Sequence, residues 1–200
     1  MIMEAPTDVP IHPLLAARWS PYAFADRAVA TEDLRALFEA ARWAPSCYND
    51  QPWHYLVATR ENPEEFARLL SCLVEPNQAW AKFAPVLALG VTHLNFSHNN
   101  KPNRAAYHDL GQASAHLLVE ATARGLLVHQ MIGICPEQAR ELYQVPQGYE
   151  VLTGLAIGYL GDPKSLPEAM QQRDAARRPR KPVREFLFSG GWGKTSLLAE

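Results

Sequence analysis

Hydrophobic residues recur along this 200-residue chain at two spacings, which predict a mixture of helices and strands. Apolar positions three and four residues apart predict helices over 11–18, 31–43, 63–73, 103–124 and 136–143. Short apolar runs bounded by turn residues predict strands over 53–59, 86–92, 126–132 and 151–160. The helix over 103–124 has apolar or small residues around much of its girth, so we expect it at the centre of the fold.

Polar residues at the ends of these segments predict where the helices begin. Thr31 is the expected N-cap of its helix, with acidic residues in the first turn after it. Asn62, Pro63 and Glu65 form a capping pattern for the next helix, because asparagine accepts backbone N–H bonds and proline suits the first helical position.

The alternation of helices and strands predicts one α+β domain over 1–200 with a central sheet. Residues 1–10 are expected to form a loose arm. The apolar residues of 183–200 predict that this C-terminal extension packs on the body of the fold or on a second subunit, since such a tail is unfavourable in water.

Composition and charge mainly argue against certain classes of protein. Apolar residues make up 48% of the chain and charged residues 20%, which is typical of a globular protein. The formal net charge of −2 gives no electrostatic reason to expect nucleic acid or an anionic membrane as a partner. No apolar run approaches the ~20 residues that span a bilayer, and the N-terminus lacks the pattern of a secretion signal. Three cysteines without metal-type spacing favour reduced thiols, so we expect a cytoplasmic protein.

The stretch WAPSCYNDQPWHYLVAT, residues 43–59, combines a helix stop, a polar turn and a strand. Pro45 ends the preceding helix because proline restricts the residue before it and lacks an N–H. Hydroxyl and amide side chains then lie on a tight connection between rigid elements, where binding groups are concentrated. The alternative is a structural corner in which Asn49 and Asp50 are ordinary turn residues, and spacing alone favours neither interpretation.

Two basic clusters, RWSPYAF and RRPRK, stand near opposite ends of the chain. Arg18, Ser20, Arg180 and Lys181 together could bind a phosphate, since arginine offers a planar fork, serine a hydroxyl and lysine a point charge. Each cluster alone is more typical of solvated surface.

Other chemistries receive little support from the sequence. The spacing of His93, His98, His108 and Asp109 matches no standard metal site. Cys47 has no base tied to it by a motif, which argues against a covalent hydrolase. The closely spaced glycines of GLAIGYLG fall within a predicted strand rather than at a helix start, so they do not form a phosphate-binding loop.

Several segments, taken in order, resemble the nitroreductase family of flavin mononucleotide (FMN) enzymes. The most specific is APSCYNDQPWHYLVAT, which is similar to the family's A-P-S-x-x-N-x-Q-P-W signature. The others are RWSPYAF, NQAWAKFAPVLALGV, DLGQASAHLLVEATARGL, GLAIGYLGDP and RKPVREFLFSGGWG. The resemblance covers nearly the whole chain.

The resemblance implies a central, mostly antiparallel sheet flanked by helices, and a homodimer with FMN at the subunit interface and a C-terminal arm packed on the partner. The opening and closing basic motifs would hold the phosphate and ribityl chain, Trp19 through its backbone. The turn at residues 45–51 would come from the other subunit, Asn77 would bond the isoalloxazine ring, and a backbone N–H of 131–133 would face the reactive nitrogen. The implied cofactor-binding residues are Arg18, Trp19, Ser20, Tyr22, Pro45, Ser46, Asn49, Gln51, Asn77, Met131, Ile132, Gly133, Arg180 and Lys181.

The implied activity is reduction of nitroaromatic, quinone or other electron-poor acceptors with NADH or NADPH, in a ping-pong cycle without a catalytic side chain because the flavin carries the chemistry. The loop over 93–104 is a hypothetical variable wall of the acceptor pocket. Alternatives are a flavin sensor or carrier without dehydrogenase turnover, a specialised member such as a reductive dehalogenase, and a purely structural dimer. Tyr22 and the region near Trp80 lack basic residues that are usual in the family, which suggests a shifted flavin potential or substrate preference.

Overall fold

A four-stranded antiparallel sheet forms the centre of the fold. The computed structural model describes residues 4–176 and 179–199. Within them the strands are β1 (Trp53–Thr59), β2 (Val86–His93), β3 (Leu127–Met131) and β4 (Tyr149–Gly158). They pair in the order β1-β2-β4-β3, and all three pairings are antiparallel. The α+β class and the antiparallel sheet expected from the sequence are confirmed.

Helices cover both faces of this sheet. They are α1 (Pro13–Ala17), α2 (Thr31–Arg42), α3 (Pro63–Ser71), α4 (Glu75–Ala81), α5 (Ala106–Ala123), α6 (Pro136–Tyr143) and α7 (Glu168–Ala175). No helix among the described residues is long and apolar enough to cross a membrane.

Strand β2 shows why the sheet is central, because its side chains are buried on both faces. Val86 and Ala88 belong to one apolar cluster with residues of α2 and α5. Leu87 and Leu89 belong to a second cluster with residues of α3, α4 and α6. Successive strand residues point to opposite faces, so one continuous apolar run serves two cores.

Two boundary predictions have different outcomes. The Asn62 side chain accepts a hydrogen bond from Glu65 N–H at 3.3 Å, as the capping pattern predicted. Thr31, however, is the first residue of α2 rather than its cap; the N-cap is Ala30, which makes no side-chain capping bond. The acidic residues of the first turn, Glu32 and Asp33, remain to favour the helix N-terminus.

Helix α7 was not predicted from the sequence. Its segment EAMQQRDA is polar on nearly every side, so it lacks the apolar stripe that reveals a helix. The buried Asp174 ties it to the fold, since one carboxylate oxygen accepts the Tyr22 N–H at 2.7 Å.

The small residues of β4 allow neighbouring elements to approach closely. A Cβ added at Gly158 would lie 2.5 Å from Pro85 Cδ, and one at Gly154 would lie 3.0 Å from a Leu73 methyl group. The space beside these glycines is therefore filled by protein side chains rather than left open.

Candidate functional site

A cleft of about 890 Å³ brings the two basic clusters together. Arg18, Trp19 and Ser20 follow α1 and line one side, and Arg180 and Lys181 line it from the C-terminal part of the chain. These residues are more than 150 positions apart in the sequence, so only the folded chain makes them neighbours. The arrangement places hydroxyl, guanidinium and ammonium donors around one space suited to an anion.

Arg173 is a further cation of this cleft, and it was missed in the sequence because α7 was missed. The segment expected as a loose arm also lines the cleft, from Glu4 to Val9. Its Ala5 N–H donates to the Ala16 carbonyl of α1 at 2.8 Å, which holds the arm beside the basic residues. Residues 1–3 of the expected arm lie outside the described residues.

The Trp19 side chain carries an unused hydrogen-bond donor at this cleft. Its indole Nε1 is buried and has no partner within residues 4–176 and 179–199. A buried N–H left unpaired costs about 1–3 kcal/mol, so an oxygen-bearing ligand that reached it would recover that energy. The sequence had suggested a role for Trp19 only through its backbone.

Tyr22 is partly buried and packs against the core without lining the cleft, so its predicted contact with a cofactor stays a prediction. Its ring centroid is 5.1 Å from that of Trp80 and 4.8 Å from that of His129. His129 Nδ1 contacts the Pro21 carbonyl at 2.8 Å, so strand β3 anchors the opening motif. Trp80 is only 1% exposed.

Asn77 and the segment after β3 form one rigid unit. The Asn77 side-chain amide donates to the Gly133 carbonyl at 2.9 Å, and Val74 N–H donates to the same oxygen at 3.1 Å. A Cβ at Gly133 would lie 2.4 Å from Asn77 Nδ2, so any larger residue here would displace the Asn77 side chain from this contact. Met131 is buried beneath, whereas Ile132 is 73% exposed. The residues predicted to flank the flavin ring are thus brought together.

The turn over 45–51 has an unusual backbone. Tyr48, Asn49 and Gln51 all have positive φ, at 52°, 56° and 50°. Residues other than glycine rarely adopt positive φ, and residues with such strained backbones cluster at functional sites. No residue of the turn lines the cleft of its own chain, so within one chain the two parts of the predicted site remain separate.

Hydrogen bonds to side chains hold this strained turn in place. Ser46 Oγ accepts the Gln51 N–H at 3.0 Å, and the Gln51 amide donates to the Asn49 carbonyl at 3.1 Å. The carboxylate of Asp109, buried in α5, accepts the Cys47 N–H at 3.1 Å. The sequence had offered Asp109 only as a poor metal candidate, because nothing local connects it to a turn 62 residues away.

The cysteines and histidines form no metal centre in the described part of the chain, where no three His, Cys, Asp or Glu residues group around a common point. Cys47 contributes its backbone N–H to the turn. Cys72 lies beside Cys135, whose N–H donates to the Cys72 carbonyl at 2.7 Å, and burial raises the pKa of the Cys72 thiol. All three cysteines are free thiols.

Comparison with known proteins agrees with this geometry. A family model described as Nitroreductase family matches residues 15–159. This chain belongs to the nitroreductase family. The assignment confirms the resemblance seen in the motifs and makes the chain a flavin oxidoreductase in class.

Individual relatives support the assignment. A solved structure described as an oxidoreductase containing FMN has a TM-score of 0.89 and 32% identity, covering 94% of this chain and 96% of that one. An uncharacterised 15.4 kDa protein of Mycolicibacterium smegmatis is 32% identical over 65% of this chain and 86% of its own length. A predicted NADH dehydrogenase/NAD(P)H nitroreductase of Archaeoglobus fulgidus is 26% identical over 78% of this chain and 88% of its own.

Proposed function

We propose that this protein binds FMN in the basic cleft, at the interface of a homodimer, and uses NADH or NADPH to reduce electron-poor acceptors such as quinones and nitroaromatics. The observation that carries the proposal is the convergence of Arg18, Ser20, Arg180 and Lys181 on one cleft. Support also comes from the solved relative described as an oxidoreductase containing FMN.

The chemistry of the cleft fits FMN. Its volume of about 890 Å³ lies within the range of small-molecule sites, roughly 300–1,000 Å³. Three carboxylates also line it, those of Glu4, Asp8 and Asp174, but cationic side chains outnumber them, which suits a phosphate: Arg18, Arg173, Arg180 and Lys181. Ser20 and the unpaired Trp19 Nε1–H add neutral donors for phosphate or ribityl oxygens.

Each part of the site has a separate task in this proposal. FMN, when bound, supplies the hydride chemistry, and the protein supplies position and electrostatics. The basic cleft holds the phosphate. The Asn77–Gly133 unit, fixed by its 2.9 Å hydrogen bond, presents a rigid edge to the ring system, where backbone and amide dipoles stabilise developing negative charge. The exposed side chain of Ile132 provides an apolar surface at the same edge, where the ring system would pack.

The separation of the turn and the cleft supports the proposed homodimer. Asn49 lies on a strained turn that does not reach the cleft of its own chain. In the proposed dimer the turn of one subunit faces the cleft of the other, so each FMN contacts both chains. Donor and acceptor occupy the same exposed flavin face in succession, which gives ping-pong kinetics.

The decisive experiment is the absorption spectrum of the purified protein, reconstituted with FMN and then mixed anaerobically with NADH or NADPH. We expect a bound-flavin spectrum that bleaches with at least one nicotinamide and recovers when a quinone is added. A flavin spectrum that no nicotinamide bleaches would indicate a flavin carrier or sensor. Failure to bind FMN would reject the proposal altogether.

The role of the cleft is tested separately with Arg180→Ala and Lys181→Ala, with Lys164→Ala as the matched control because Lys164 is exposed and outside the cleft. Loss of a charge-assisted hydrogen bond costs about 1.5–3 kcal/mol, so each cleft variant should bind FMN roughly tenfold or more weakly. Fluorescence titration with FMN measures the dissociation constant. If both cleft variants bind FMN as tightly as the Lys164→Ala control, the phosphate does not bind at Arg180 and Lys181.

A further inference from the structure

Two cysteines that are far apart in the sequence meet where helix α3 ends and helix α6 begins. Cys72 is the C-cap of α3, and Cys135 is the N-cap of α6. The residues next to them, Leu73 and Ile134, form an antiparallel bridge. The proposed function uses neither thiol.

Backbone hydrogen bonds place the two cysteines directly opposite each other. Val74 N–H donates to the Gly133 carbonyl at 3.1 Å, and Cys135 N–H donates to the Cys72 carbonyl at 2.7 Å. These bonds flank the bridge between Leu73 and Ile134, so Cys72 and Cys135 are the next pair in register.

The same contact limits how far apart the two cysteines can be. Because the backbone geometry on either side of the 2.7 Å bond is fixed, their Cα atoms are at most roughly 6.6 Å apart. Disulfides form between Cα atoms that are about 4.4–6.8 Å apart. The separation of Cys72 and Cys135 is therefore compatible with a disulfide.

The orientation of the neighbouring side chains puts both thiols on one side of this pairing. Leu73 and Ile134 both point at Gly154 of β4, since a Cβ there would lie 3.0 Å from Leu73 Cδ2 and 3.3 Å from Ile134 Cγ2. Side chains alternate along paired segments, so Cys72 and Cys135 share the opposite side. Both residues end helices rather than lie within them, which leaves room for the small rotation that brings the sulfurs together.

The two thiols differ in their access to solvent. Cys135 is partly exposed, so a small oxidant can reach it. Cys72 is fully buried, and its Sγ–H makes a weak bond to the Arg68 carbonyl at 3.5 Å. Burial raises the pKa of the Cys72 thiol, which keeps it protonated and slow to react with solvent oxidants. Cys135 is the thiol that reacts first, and Cys72 is the one that resolves it.

We propose that Cys72 and Cys135 are a redox-active dithiol, which hydrogen peroxide converts to an intramolecular disulfide. The Cys135 sulfur attacks one peroxide oxygen, the O–O bond breaks, and water leaves as a sulfenic acid forms. The Cys72 sulfur then attacks the Cys135 sulfur, and the S–O bond breaks with release of a second water that takes the Cys72 proton. The two thiols lose two electrons in total and the peroxide gains them. A thiol reductant such as glutathione reverses the reaction by exchange.

The disulfide would close a covalent loop around the Asn77–Gly133 unit. Cys72 precedes Asn77 in the chain and Cys135 follows Gly133, whose carbonyl accepts the bonds from Val74 and Asn77. A link to the edge of the flavin ring rests on the proposed function, which places this unit there. The thiol chemistry does not, since it needs neither FMN nor a nicotinamide.

Peptide mapping of the full chain tests the disulfide. The protein is reduced, freed of reductant, treated with a small excess of hydrogen peroxide, alkylated and digested with trypsin. Cleavage after arginine and lysine separates the three cysteines into peptides 43–60, 69–82 and 125–140. We expect peptides 69–82 and 125–140 to be linked in most molecules and released by dithiothreitol, with Cys47 alkylated.

Cysteine variants identify the role of each thiol. Cys135→Ser, at a partly exposed position, should lose the link, and Cys47→Ser is the matched control that should keep it. In Cys72→Ala the sulfenic acid should persist on Cys135 and react with dimedone. Three results would overturn the proposal: unlinked peptides in the peroxide-treated parent, a link that includes Cys47, or a linked fraction that falls when the protein is diluted. Each of these leaves the FMN spectrum, and with it the proposed function, unaffected.

Discussion

The turn over 45–51 and the C-terminal segment over 183–199 differ in how their conformations are stabilised. The turn is strained, yet side chains of its own chain hold it, notably Ser46 within it and the buried Asp109 beneath it. The C-terminal segment forms a small hairpin, in which Ser189 N–H donates to the Lys194 carbonyl at 2.9 Å. Its largest side chains make few contacts: Trp192 is 95%, Leu197 81% and Leu198 86% exposed.

This contrast separates what one chain can stabilise from what needs a second chain. A strained backbone persists when surrounding groups determine it fully, as at the turn. Exposed apolar surface on this scale is typical of an interface. Two locations were expected for the C-terminal extension, and among the described residues the tip of the hairpin, at Trp192, is almost fully exposed rather than packed on the body of its own chain. The partner subunit remains as our proposed location.

The largest expected effect is on association. Trp192→Ser combined with Leu198→Ser removes two side chains whose burial contributes about 1.5–3 kcal/mol each. We expect the dimer dissociation constant to rise by at least about 100-fold. Sedimentation velocity across a concentration series measures it, with the exposed Lys194→Ser in the same hairpin as control. A parent that is monomeric at micromolar concentration would contradict the proposed dimer. A double variant that dimerises as tightly as the parent would show that the hairpin does not contribute to the interface.

The next effect concerns the support of the turn. Asp109→Ala removes the buried acceptor of the Cys47 N–H, and the cost of an unpaired group of this kind is about 1–3 kcal/mol. We expect the free energy of unfolding to fall by that amount and FMN to bind roughly tenfold more weakly. Urea denaturation and flavin fluorescence measure the two quantities.

Asp109→Asn is the matched control, since its amide oxygen still accepts the Cys47 N–H while the charge is lost. It should keep most of the stability and most of the FMN affinity. If Asp109→Ala retains both in full, the turn is held by its own local bonds and Asp109 is not its support.

Substitutions of Asn49 test whether the strained turn contributes a side chain to FMN binding or only its backbone conformation. Alanine at φ 56° carries about 1–2 kcal/mol of strain, whereas glycine carries none. We expect Asn49→Ala and Asn49→Gly both to weaken FMN binding, by about tenfold, with dimerisation unchanged. Loss in Asn49→Ala alone would assign the role to backbone shape, and full retention in both variants would make the turn purely structural.

The smallest effect lies behind the turn, where Tyr55 of β1 contacts Ser114 of α5 at 3.0 Å between oxygens. Burial raises the pKa of Tyr55 to about 12 from its ordinary value of 10.0. The neutral phenol is therefore favoured in the folded state. This stabilisation is complete below pH 10 and is lost as the pH rises toward 12.

In Tyr55→Phe we expect the free energy of unfolding to decline less between pH 10 and 12, by about 1 kcal/mol after allowance for partial exposure. Denaturation curves at pH 9, 10, 11 and 12 measure the difference. Parallel pH profiles for the parent and the variant would show that ionisation of Tyr55 does not affect the stability of the fold.

Local patterns predicted much of the fold. The strand Trp53–Thr59 and the helix Pro136–Tyr143 have the bounds that periodicity and proline placement gave them. Helix α7 was not recognised because its polar sequence has no apolar stripe, and its contacts, such as that between Asp174 and the Tyr22 N–H, join residues far apart in the chain. Arg173 was missed as a cleft residue for the same reason.

Within the candidate site, the sequence predicted which residues take part but not which residues they contact. Asn77 and Gly133 were predicted through the family resemblance alone, and the structure shows them in contact, since the Asn77 amide donates to the Gly133 carbonyl at 2.9 Å. The ring contacts of Tyr22 with Trp80 and His129 could not be predicted, because these three residues are far apart in the chain.

The sequence by itself determined the alternation of helices and strands, the polar turn after Pro45 and the two basic clusters, because each depends on neighbours within a few residues. The tertiary structure alone decided that Arg18 and Lys181 share a cleft, that Asp109 supports the turn, and that Asp50 ties the turn to the loop at Ser97. These are contacts between residues far apart in the chain, and they exist only after the sheet and its two cores have formed.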